Sequence, residues 1–407
     1  MEKAKKFNLK DVNIRNNTDK KYAIIFFISI TILALLFRTV YINLQSGDYT
    51  NFLKLWLEFY RNNGHILAIG KGIGNYNIPY QILLAIASYL LIADLYLVKA
   101  ISIFFDYIIA IFGYLIVKKL VAYQKQDDVY LPIITYFILL FLPTVTLNSS
   151  AWAQCDGIYT AFVLISIYCM IEDKSVLSFI FLGIAFGFKL QFIFIVPLYL
   201  LLCIKKKKFN IFEFLIIPAV NYIMCIPAFI YGKSFKDVTL IYFNQASEYK
   251  ALTANMANIY TFISKNSDKI AYAGILFTFI LVLFIVIFFS KKSIKLKESD
   301  YIAIGLLMVM VENFFLPRMH ERYLYMADVL SVIYYMINRK NIIVPIIVNF
   351  VSLHGYLYYL FNFRVIDSRI VALVYFIGVI YLFIAIYKDT YKNMYKKEVF
   401  KLESKNK

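Results

Sequence analysis

Long apolar runs recur along the whole chain and constrain its fold more than any other feature. Hydrophobic residues make up 61% of the 407 positions, and charged residues only 17%. A composition this apolar excludes a soluble globular protein and favours helices that cross a hydrocarbon core of roughly 30 Å. We therefore predict an all-α integral membrane protein, a polytopic bundle of roughly 12 transmembrane helices. The runs are 22–45, 97–117, 129–147, 157–171, 175–190, 191–204, 210–231, 271–290, 301–316, 322–338, 341–361 and 369–387.

Basic residues gather in alternate connections between these runs. Most of the 43 lysines and arginines lie in the two tails and in a few short connections, at Lys118, Lys119, Lys125, Lys174, 205–208, 291–297, Arg339 and Lys340. The positive-inside rule assigns such loops to the cytoplasm, which predicts that both termini are cytoplasmic. Because the net charge of +18 is concentrated at one face of a lipid bilayer, it does not indicate nucleic acid binding.

The run 78–92 needs separate treatment, because counting it as a span would reverse the side of every later loop. We interpret it as a juxtamembrane or half-inserted helix, and Pro79 suits a first helical turn. The predicted organisation is a cytoplasmic basic tail (1–21), a transmembrane domain (22–387) and a second cytoplasmic basic tail (388–407). Two long external loops interrupt the transmembrane domain, at 46–96 and 232–270.

Asp48 stands just beyond the first apolar run, in the stretch Ser46-Gly47-Asp48-Tyr49. Apolar residues follow at helical spacing, which predicts an interfacial amphipathic helix after it. Asp48 could be the N-cap of that helix, accepting a backbone N–H bond. It could instead be a general base at the membrane surface.

Two short external turns also carry polar residues. The turn 152–156 offers an aromatic face in Trp152, an amide in Gln154 and a carboxylate in Asp156, which would suit a sugar. The alternative is an interfacial tryptophan beside a helix cap. Lys189 and Gln191 mark the second turn, where a lysine either binds a ligand or snorkels to the headgroups.

The stretch 317–323 is the densest charged cluster outside the basic connections. Arg318, His320 and Arg322 alternate along it, a pattern that suits a phosphate held by bidentate hydrogen bonds. Glu321 could pair with an arginine and make the cluster structural. Other polar residues lie inside apolar runs, where they usually face a bundle interior or a cavity: Lys99, Asp106, Asn221, Glu312 and Asp328.

Taken together, these stretches resemble the GT-C superfamily of polytopic glycosyltransferases. Within it, the chain is most similar to bacterial mannosyltransferases related to the second mannosyltransferase of GPI-anchor assembly. The resemblance covers most of the chain. It rests on Ser46-Gly47-Asp48-Tyr49 with Asn51-Phe52, on 74–80, on 152–156, on Phe188-Lys189-Leu190-Gln191 and on 319–324.

The resemblance implies a catalytic base at Asp48 and a sugar donor linked to a polyprenyl phosphate. It also implies a site for the donor phosphate, formed by Lys189, Arg318, His320 and Arg322. The residues expected to bind substrate are Tyr76, Asn77, Trp152, Gln154, Asp156, Gln191 and Glu321. No cofactor is required by the resemblance, and dependence on a divalent metal stays open.

We therefore expect an inverting glycosyltransferase that acts on the external face of a bacterial plasma membrane. The acceptor would be a hydroxyl of a glycan, a glycolipid or a protein. A phosphate leaving group is a weak base, so its departure needs cations rather than a second carboxylate. Two alternatives stay open: a lipid-linked-sugar flippase or transporter, and a polysaccharide polymerase or ligase. A transporter would place its binding groups near the midplane on broken helices, whereas the polar clusters here lie at span ends.

Overall fold

A computed structural model describes residues 9–123, 130–248 and 250–405, and these residues are almost entirely helical. Lys125 and residues 1–8 of the predicted tail lie outside the described residues. The helices are α1 Leu9–Thr39, α2 Lys54–Asn62, α3 Ile78–Ala87, α4 Asp94–Tyr123, α5 Tyr130–Phe141, α6 Pro143–Thr146, α7 Asp156–Ile171, α8 Ser175–Phe188, α9 Val196–Lys205, α10 Ile216–Met224, α11 Ile226–Ile230, α12 Phe235–Glu248, α13 Asp268–Ser290, α14 Glu298–Phe315, α15 Tyr325–Asn338, α16 Ile343–Phe361 and α17 Ser368–Lys405.

Shorter helical turns and two strands connect these helices. Tyr49–Leu53 and Leu147–Trp152 are π-helical, and the segments His65–Lys71, Leu190–Ile195, Ile211–Leu215 and Ile259–Phe262 are 3₁₀-helical. The strands β1 Thr253–Ala254 and β2 Met319–His320 pair in parallel. The chain is therefore all-α in its described part, apart from this one short pairing.

Four of the described helices are long and apolar enough to cross a membrane. They are α4, α13, α16 and the part Ser368–Tyr391 of α17. A fifth span results if Tyr130–Phe141 and Pro143–Trp152 count as one, although the pair bends by 47°. The bend falls at Pro143, which lacks the N–H that a continuous helix would need. These helices are consistent with an integral membrane protein.

The sequence predicts about twelve spans, and the structure divides its apolar segments differently. Helix α3 has 10 residues and seven of them are buried, so it packs inside the protein and is too short to span. Other apolar segments are also short: Ile24–Thr39, Asp156–Ile171, Ser175–Phe188, Leu190–Lys205 and Ile211–Met224. By length and composition alone, four of the described helices could cross a membrane, or five spans if the bent pair counts as one, and the prediction of about twelve spans stays a prediction.

The helices differ in which surfaces they bury. Helices α7, α14 and α15 are buried along most of their length and form the centre of the bundle. Helices α1 and α13 instead expose many large apolar side chains, such as Leu36 on α1 and Phe279 on α13. A wide exposed apolar face is unfavourable in water but suits contact with lipid chains.

The connections between helices collect at two ends of the bundle. At one end, which we call the basic end, Lys206 bridges the carboxylates of Asp173 and Glu298. Lys205 donates to the carbonyl oxygens of Lys291 and Ile294 at the same end. The opposite end, which we call the site end, brings together the residues after α1, before α7, after α8 and before α15. The basic connections that the sequence placed on one face therefore do contact one another.

Candidate active site

A narrow cleft at the site end is lined by five of the predicted catalytic and binding residues, Asp48, Tyr76, Gln154, Lys189 and Arg322. We call it the Asp48 cleft. Four aromatic side chains, three amides and two cations line it together with Asp48. Its lining residues are Asp48, Phe52, Leu53, Trp56, Asn75, Tyr76, Gln154, Lys189, Gln245, Arg322 and Tyr323.

Asp48 does not cap the helical turn that follows it. Its side chain makes no capping hydrogen bond, and Ser46 takes that role, accepting the backbone N–H of Tyr49 through Oγ at 3.2 Å. The Ser46 hydroxyl also donates to the carbonyl oxygen of Trp152 at 2.8 Å. The structure thus corrects the capping interpretation and leaves the Asp48 carboxylate directed into the cleft.

Three neutral donors orient the Asp48 carboxylate. Tyr359 donates its hydroxyl to Oδ1 at 2.8 Å, and the indole Nε1–H of Trp152 donates to Oδ2 at 2.9 Å. The side-chain amide of Gln154 also donates to Oδ2. The guanidinium of Arg322 lies 3.6 Å from the same oxygen. Oδ2 is therefore occupied by donors, while Oδ1 accepts one hydrogen bond and keeps a second lone pair.

Lys189 is held behind the cleft by a buried carboxylate. Its ammonium donates to Oδ1 of Asp156, whose Oδ2 accepts the amide of Asn148 at 3.1 Å. Lys189 is 4% exposed and Asp156 is fully buried. The Lys189 ammonium also lies 5.9 Å from the ring centres of both Tyr76 and Tyr323. Of the two interpretations of Lys189, the structure therefore does not support snorkelling to the headgroups, because the lysine is buried and paired with Asp156.

Arg322 is surrounded by carboxylates from three segments. It lies 3.6 Å from Asp48, 3.5 Å from Glu321 and 4.0 Å from Asp156. Its guanidinium also lies 5.5 Å from the ring of Trp152. Arg322 and Lys189 therefore bring two cations to one side of the Asp48 carboxylate.

The other two members of the predicted phosphate site have different surroundings. Arg318 donates to the carboxylate of Asp268, the first residue of α13, at 2.9 Å. Burial, and then the charges of Arg322 and Lys189, lower the pKa of His320 to about 3, so this imidazole is neutral. Neither residue lines the cleft. Of the four residues predicted to bind the phosphate, Lys189 and Arg322 line the cleft, and Arg318 and His320 do not.

Glu321 is buried beside Arg322 and is 2% exposed. Burial raises its pKa to about 7, while Arg322 acts in the opposite direction. Its backbone N–H donates to the carbonyl oxygen of Ala254, next to the pairing of β1 with β2. Gly355 on α16 permits this approach, since a Cβ there would lie 2.5 Å from the Cβ of Glu321. Glu321 therefore contacts Arg322 and does not line the cleft.

Three predicted substrate-binding residues are buried and do not line the cleft. Trp152 is fully buried, so it orients Asp48 and offers no surface to a sugar. Asn77 is also fully buried; it caps α3 and donates to Asn221 at 2.9 Å. Gln191 is 7% exposed and lies outside the cleft lining. In contrast, Tyr76 lines the cleft and donates to the amide oxygen of Gln154 at 3.2 Å.

Sequence reasoning missed Tyr359, an uncharged residue that contacts Asp48. It lies 311 positions from Asp48 in sequence yet donates directly to it. Its ring also stacks on that of Trp152 with centroids 4.2 Å apart. No local pattern marks Tyr359, since its position follows from tertiary packing. The cleft lining also includes Trp56, Asn75 and Gln245, which lie in segments that the sequence singled out but were not among the predicted binding residues.

The carboxylates of the site contact amides, hydroxyls and cations. Within the described ranges, no three histidine, cysteine, aspartate or glutamate side chains come close enough to hold a metal ion. Dependence on a divalent metal therefore has to be measured. All four cysteines are free thiols.

No family model matches this chain, and no curated protein matches it either.

Proposed function

We propose that this protein is a GT-C-type glycosyltransferase that moves a sugar from a polyprenyl-phosphate donor to an acceptor hydroxyl. One observation carries the proposal: a single oriented carboxylate, Asp48, shares a cleft with two cations, Lys189, which is buried, and Arg322, whose side chain is 12% exposed. Sugar transfer from a phosphate needs one base for the acceptor and positive charge for the leaving group. The cleft contains both.

The contacts of Asp48 suit a general base. A base needs a fixed direction and an unused lone pair within reach of the proton that it removes. The donors on Oδ2 supply the direction, and Oδ1 keeps the lone pair. Tyr76 and Trp56, whose ring centres lie 5.1 Å apart, offer an apolar wall, and the amides of Asn75, Gln154 and Gln245 offer hydrogen bonds to a sugar.

The charge balance of the cleft favours a donor with a single phosphate. Lys189 and Arg322 contribute two positive charges, and Asp48 and Asp156 contribute two negative charges. Glu321, with a pKa raised to about 7 by burial, adds only part of another. A phosphodiester brings one further negative charge, whereas a diphosphate brings at least two. A low-dielectric site tolerates the first more readily than the second.

The proposed reaction is one displacement at the anomeric carbon. Asp48 accepts the proton of the acceptor hydroxyl while the acceptor oxygen forms its bond to that carbon. The bond from the anomeric carbon to the phosphate oxygen breaks, and the polyprenyl phosphate leaves with the electron pair. Lys189 and Arg322 stabilise the charge that develops on it. Because the nucleophile and the leaving group occupy opposite faces, the configuration inverts.

The proposal includes a membrane arrangement. We place the Asp48 cleft on the external face of a bacterial plasma membrane and the basic end, with both chain termini, in the cytoplasm. The shorter apolar helices would then complete about twelve crossings, some of them broken, as between α10 and α11, where Pro227 lies in the first turn of α11. The acceptor would be a glycan, a glycolipid or a protein that reaches the external face.

The test is transfer of labelled sugar from a panel of polyprenyl-phosphate sugars in membranes that contain either the wild type or Asp48→Asn. The expected loss is on the order of 10²- to 10⁴-fold at equal protein level, because Asn cannot take up the proton. Asp237→Asn is the matched control, since Asp237 is an exposed carboxylate on α12 outside the cleft lining. Its transfer rate should equal that of the wild type.

Other outcomes point to other functions. Equal rates for the wild type and Asp48→Asn would remove Asp48 from catalysis. Absence of transfer with every single-sugar donor would reject the proposal and favour the flippase or transporter. Transfer only from a preassembled oligosaccharide lipid would favour a polymerase or ligase.

A further inference from the structure

Helix α4 carries polar side chains on one face, directed at the end of α1. Tyr96, Lys99 and Asp106 lie 3, 7 and 10 positions apart, spacings that share one side of a helix. Tyr96 donates to the side-chain oxygen of Asn43 at 2.8 Å. Asp106 accepts two hydrogen bonds from Arg38, at 3.0 and 2.8 Å. This face of α4 therefore fixes the last turn of α1 and the connection that follows it.

Lys99 makes the most contacts on this face. Its ammonium donates to the carbonyl oxygens of Tyr41, Ile42 and Leu44 at 2.8, 2.9 and 2.7 Å. The side chain is fully buried. An ammonium has three protons, so each of them is used on one segment of backbone. That segment ends two residues before Ser46, the residue that caps the turn carrying Asp48.

The same face of α4 also contacts the turn that carries Trp152, a hydrogen-bond donor to Asp48. Asp106 accepts a hydrogen bond from the hydroxyl of Ser149 at 2.6 Å. Ser149 belongs to the π-helical turn Leu147–Trp152, whose last residue donates to Asp48. One helix face thus holds the backbone that presents Asp48 and the turn that presents its indole donor.

We propose that Lys99 is a positioning residue for Asp48, which sets the place of the carboxylate through the backbone of residues 41–44. The catalytic part of this inference rests on the proposed function, whereas the positional part does not. Lys99 has no access to the cleft, so it touches neither substrate nor reacting atoms. Its effect reaches the reaction through the position of Asp48, where a displacement of about 1 Å is enough to slow a reaction roughly 100-fold.

The contacts explain why a lysine suits this position. Three carbonyl oxygens converge on one nitrogen, and a tetrahedral ammonium can donate to all three. A guanidinium places its donors in a flat fork around a carbon atom and does not fit the same convergence. Methionine would fill a similar volume but leave the three oxygens without a donor.

A readout that needs no substrate tests the positional part. The chain has 2 tryptophans, so protein labelled at the indole nitrogens gives two N–H signals by NMR. Removing Trp56 with Trp56→Phe assigns the signal of Trp152, and Asp48→Ala shows where that signal lies without its acceptor. We expect Lys99→Met to move the Trp152 signal toward its Asp48→Ala position and to leave the Trp56 signal in place.

Lys99→Gln and Lys99→Arg complete the series. The glutamine keeps two donors on one nitrogen, so its Trp152 signal should lie between those of the wild type and Lys99→Met. The arginine keeps the charge but cannot direct three donors from one nitrogen to the three carbonyl oxygens, so its Trp152 signal should shift as in Lys99→Met. Lys118→Met is the matched control, since Lys118 is an exposed lysine at the opposite end of α4, and both signals should stay unchanged.

In the transfer assay, Lys99→Met should lower kcat about 10- to 100-fold while the donor KM stays within about twofold. A folded Lys99→Met protein with an unmoved Trp152 signal would overturn the proposal. Failure of all three Lys99 variants to accumulate would also overturn it, by assigning the residue to folding. If the wild type transfers no sugar from any donor, the proposed function fails, but the Trp152 signals still decide whether Lys99 positions Asp48.

Discussion

The two ends of the molecule use the same charged residue types in opposite surroundings. At the basic end, Asp173 is 40% exposed and pairs with Lys206 and with Lys208, which is 67% exposed. At the site end, Arg322 is 12% exposed and lies within 4.0 Å of carboxylates that are between 0% and 18% exposed. The two ends therefore use the same types of charged side chain, but the carboxylates at the site end are less exposed to solvent than those at the basic end.

Because of this difference in exposure, we interpret the charges of the basic end as topological signals and those of the site end as charges that can act on a substrate. Water screens an exposed ion pair, which contributes roughly 0–1 kcal/mol to stability. A buried pair loses that hydration and depends on its partner, so removing one member costs about 3–5 kcal/mol. Charges at the site end should therefore be sensitive to every change of partner, and charges at the basic end should tolerate it.

The largest contrast should come from one lysine at each end. Lys189→Met leaves the fully buried Asp156 carboxylate without its cation, so we expect the free energy of unfolding to fall by about 3–5 kcal/mol. The Lys206 side chain is 13% exposed, but its partners Asp173 and Glu298 are 40% and 33% exposed, so Lys206→Met leaves no buried charge unpaired and we expect a loss below about 1 kcal/mol. Unfolding of the purified variants in detergent measures both.

A double variant separates stability from function at Lys189. Lys189→Met combined with Asp156→Asn has no unpaired buried charge, so it should regain most of the stability that Lys189→Met loses. Its transfer rate should stay low, because the cation for the donor phosphate is still missing. Equal losses of unfolding free energy for Lys189→Met and Lys206→Met would show that burial of the carboxylate partner does not set the cost of removing a lysine.

The second contrast concerns a carboxylate and pH. Burial raises the pKa of Glu321 from 4.5 to about 7, against the opposing charge of Arg322 and in the same direction as that of Asp48. A raised carboxyl pKa means that its contribution to stability is complete below pH 4.5 and is lost as pH rises through 7. Relative to the wild type, Glu321→Gln should gain on the order of 3 kcal/mol between pH 4.5 and pH 8.

The wild type must be compared with Glu321→Gln because the titration of His320 changes the stability with pH in the opposite direction. Its pKa is lowered to about 3 by burial, so its contribution is present above pH 6.5 and is lost as pH falls. His320 is present in both proteins, so its contribution cancels in their difference. Parallel curves of stability against pH for the wild type and Glu321→Gln would mean that Glu321 titrates like an exposed carboxylate. Burial at the site end would then not distinguish Glu321 from the carboxylates of the basic end.

The sequence was informative where a charge interrupts an apolar run. Asp48, Lys189 and Arg322 could be found in this way, because a charged residue beside lipid-facing sequence has a strong local contrast. The helical class follows from the same runs. The breaks within the apolar runs could not be predicted, because the runs that contain Pro143 and Pro227 look continuous by composition, whereas the structure divides them into shorter helices.

Residues whose role depends on burial could not be assigned from sequence. Trp152 looks like a sugar platform in a turn, but packing by α16 covers its ring and leaves the indole N–H to Asp48. Arg318 looks equivalent to Arg322, yet it contacts Asp268. Tyr359 is one of 35 tyrosines, so nothing in its neighbourhood separates it from the rest. These distinctions arise when distant segments meet.

The smallest contrast tests such a tyrosine against its own neighbour. Tyr359→Phe removes one hydrogen bond to Oδ1 of Asp48, worth about 1 kcal/mol, so we expect transfer to fall about 3- to 10-fold. Tyr358→Phe keeps the ring that packs 3.8 Å from the guanidinium of Arg364, and transfer should not change. The assay is kcat/KM for both variants at equal protein level. A Tyr359→Phe enzyme as active as Tyr358→Phe would mean that the indole and amide donors on Oδ2 orient Asp48 without the hydroxyl.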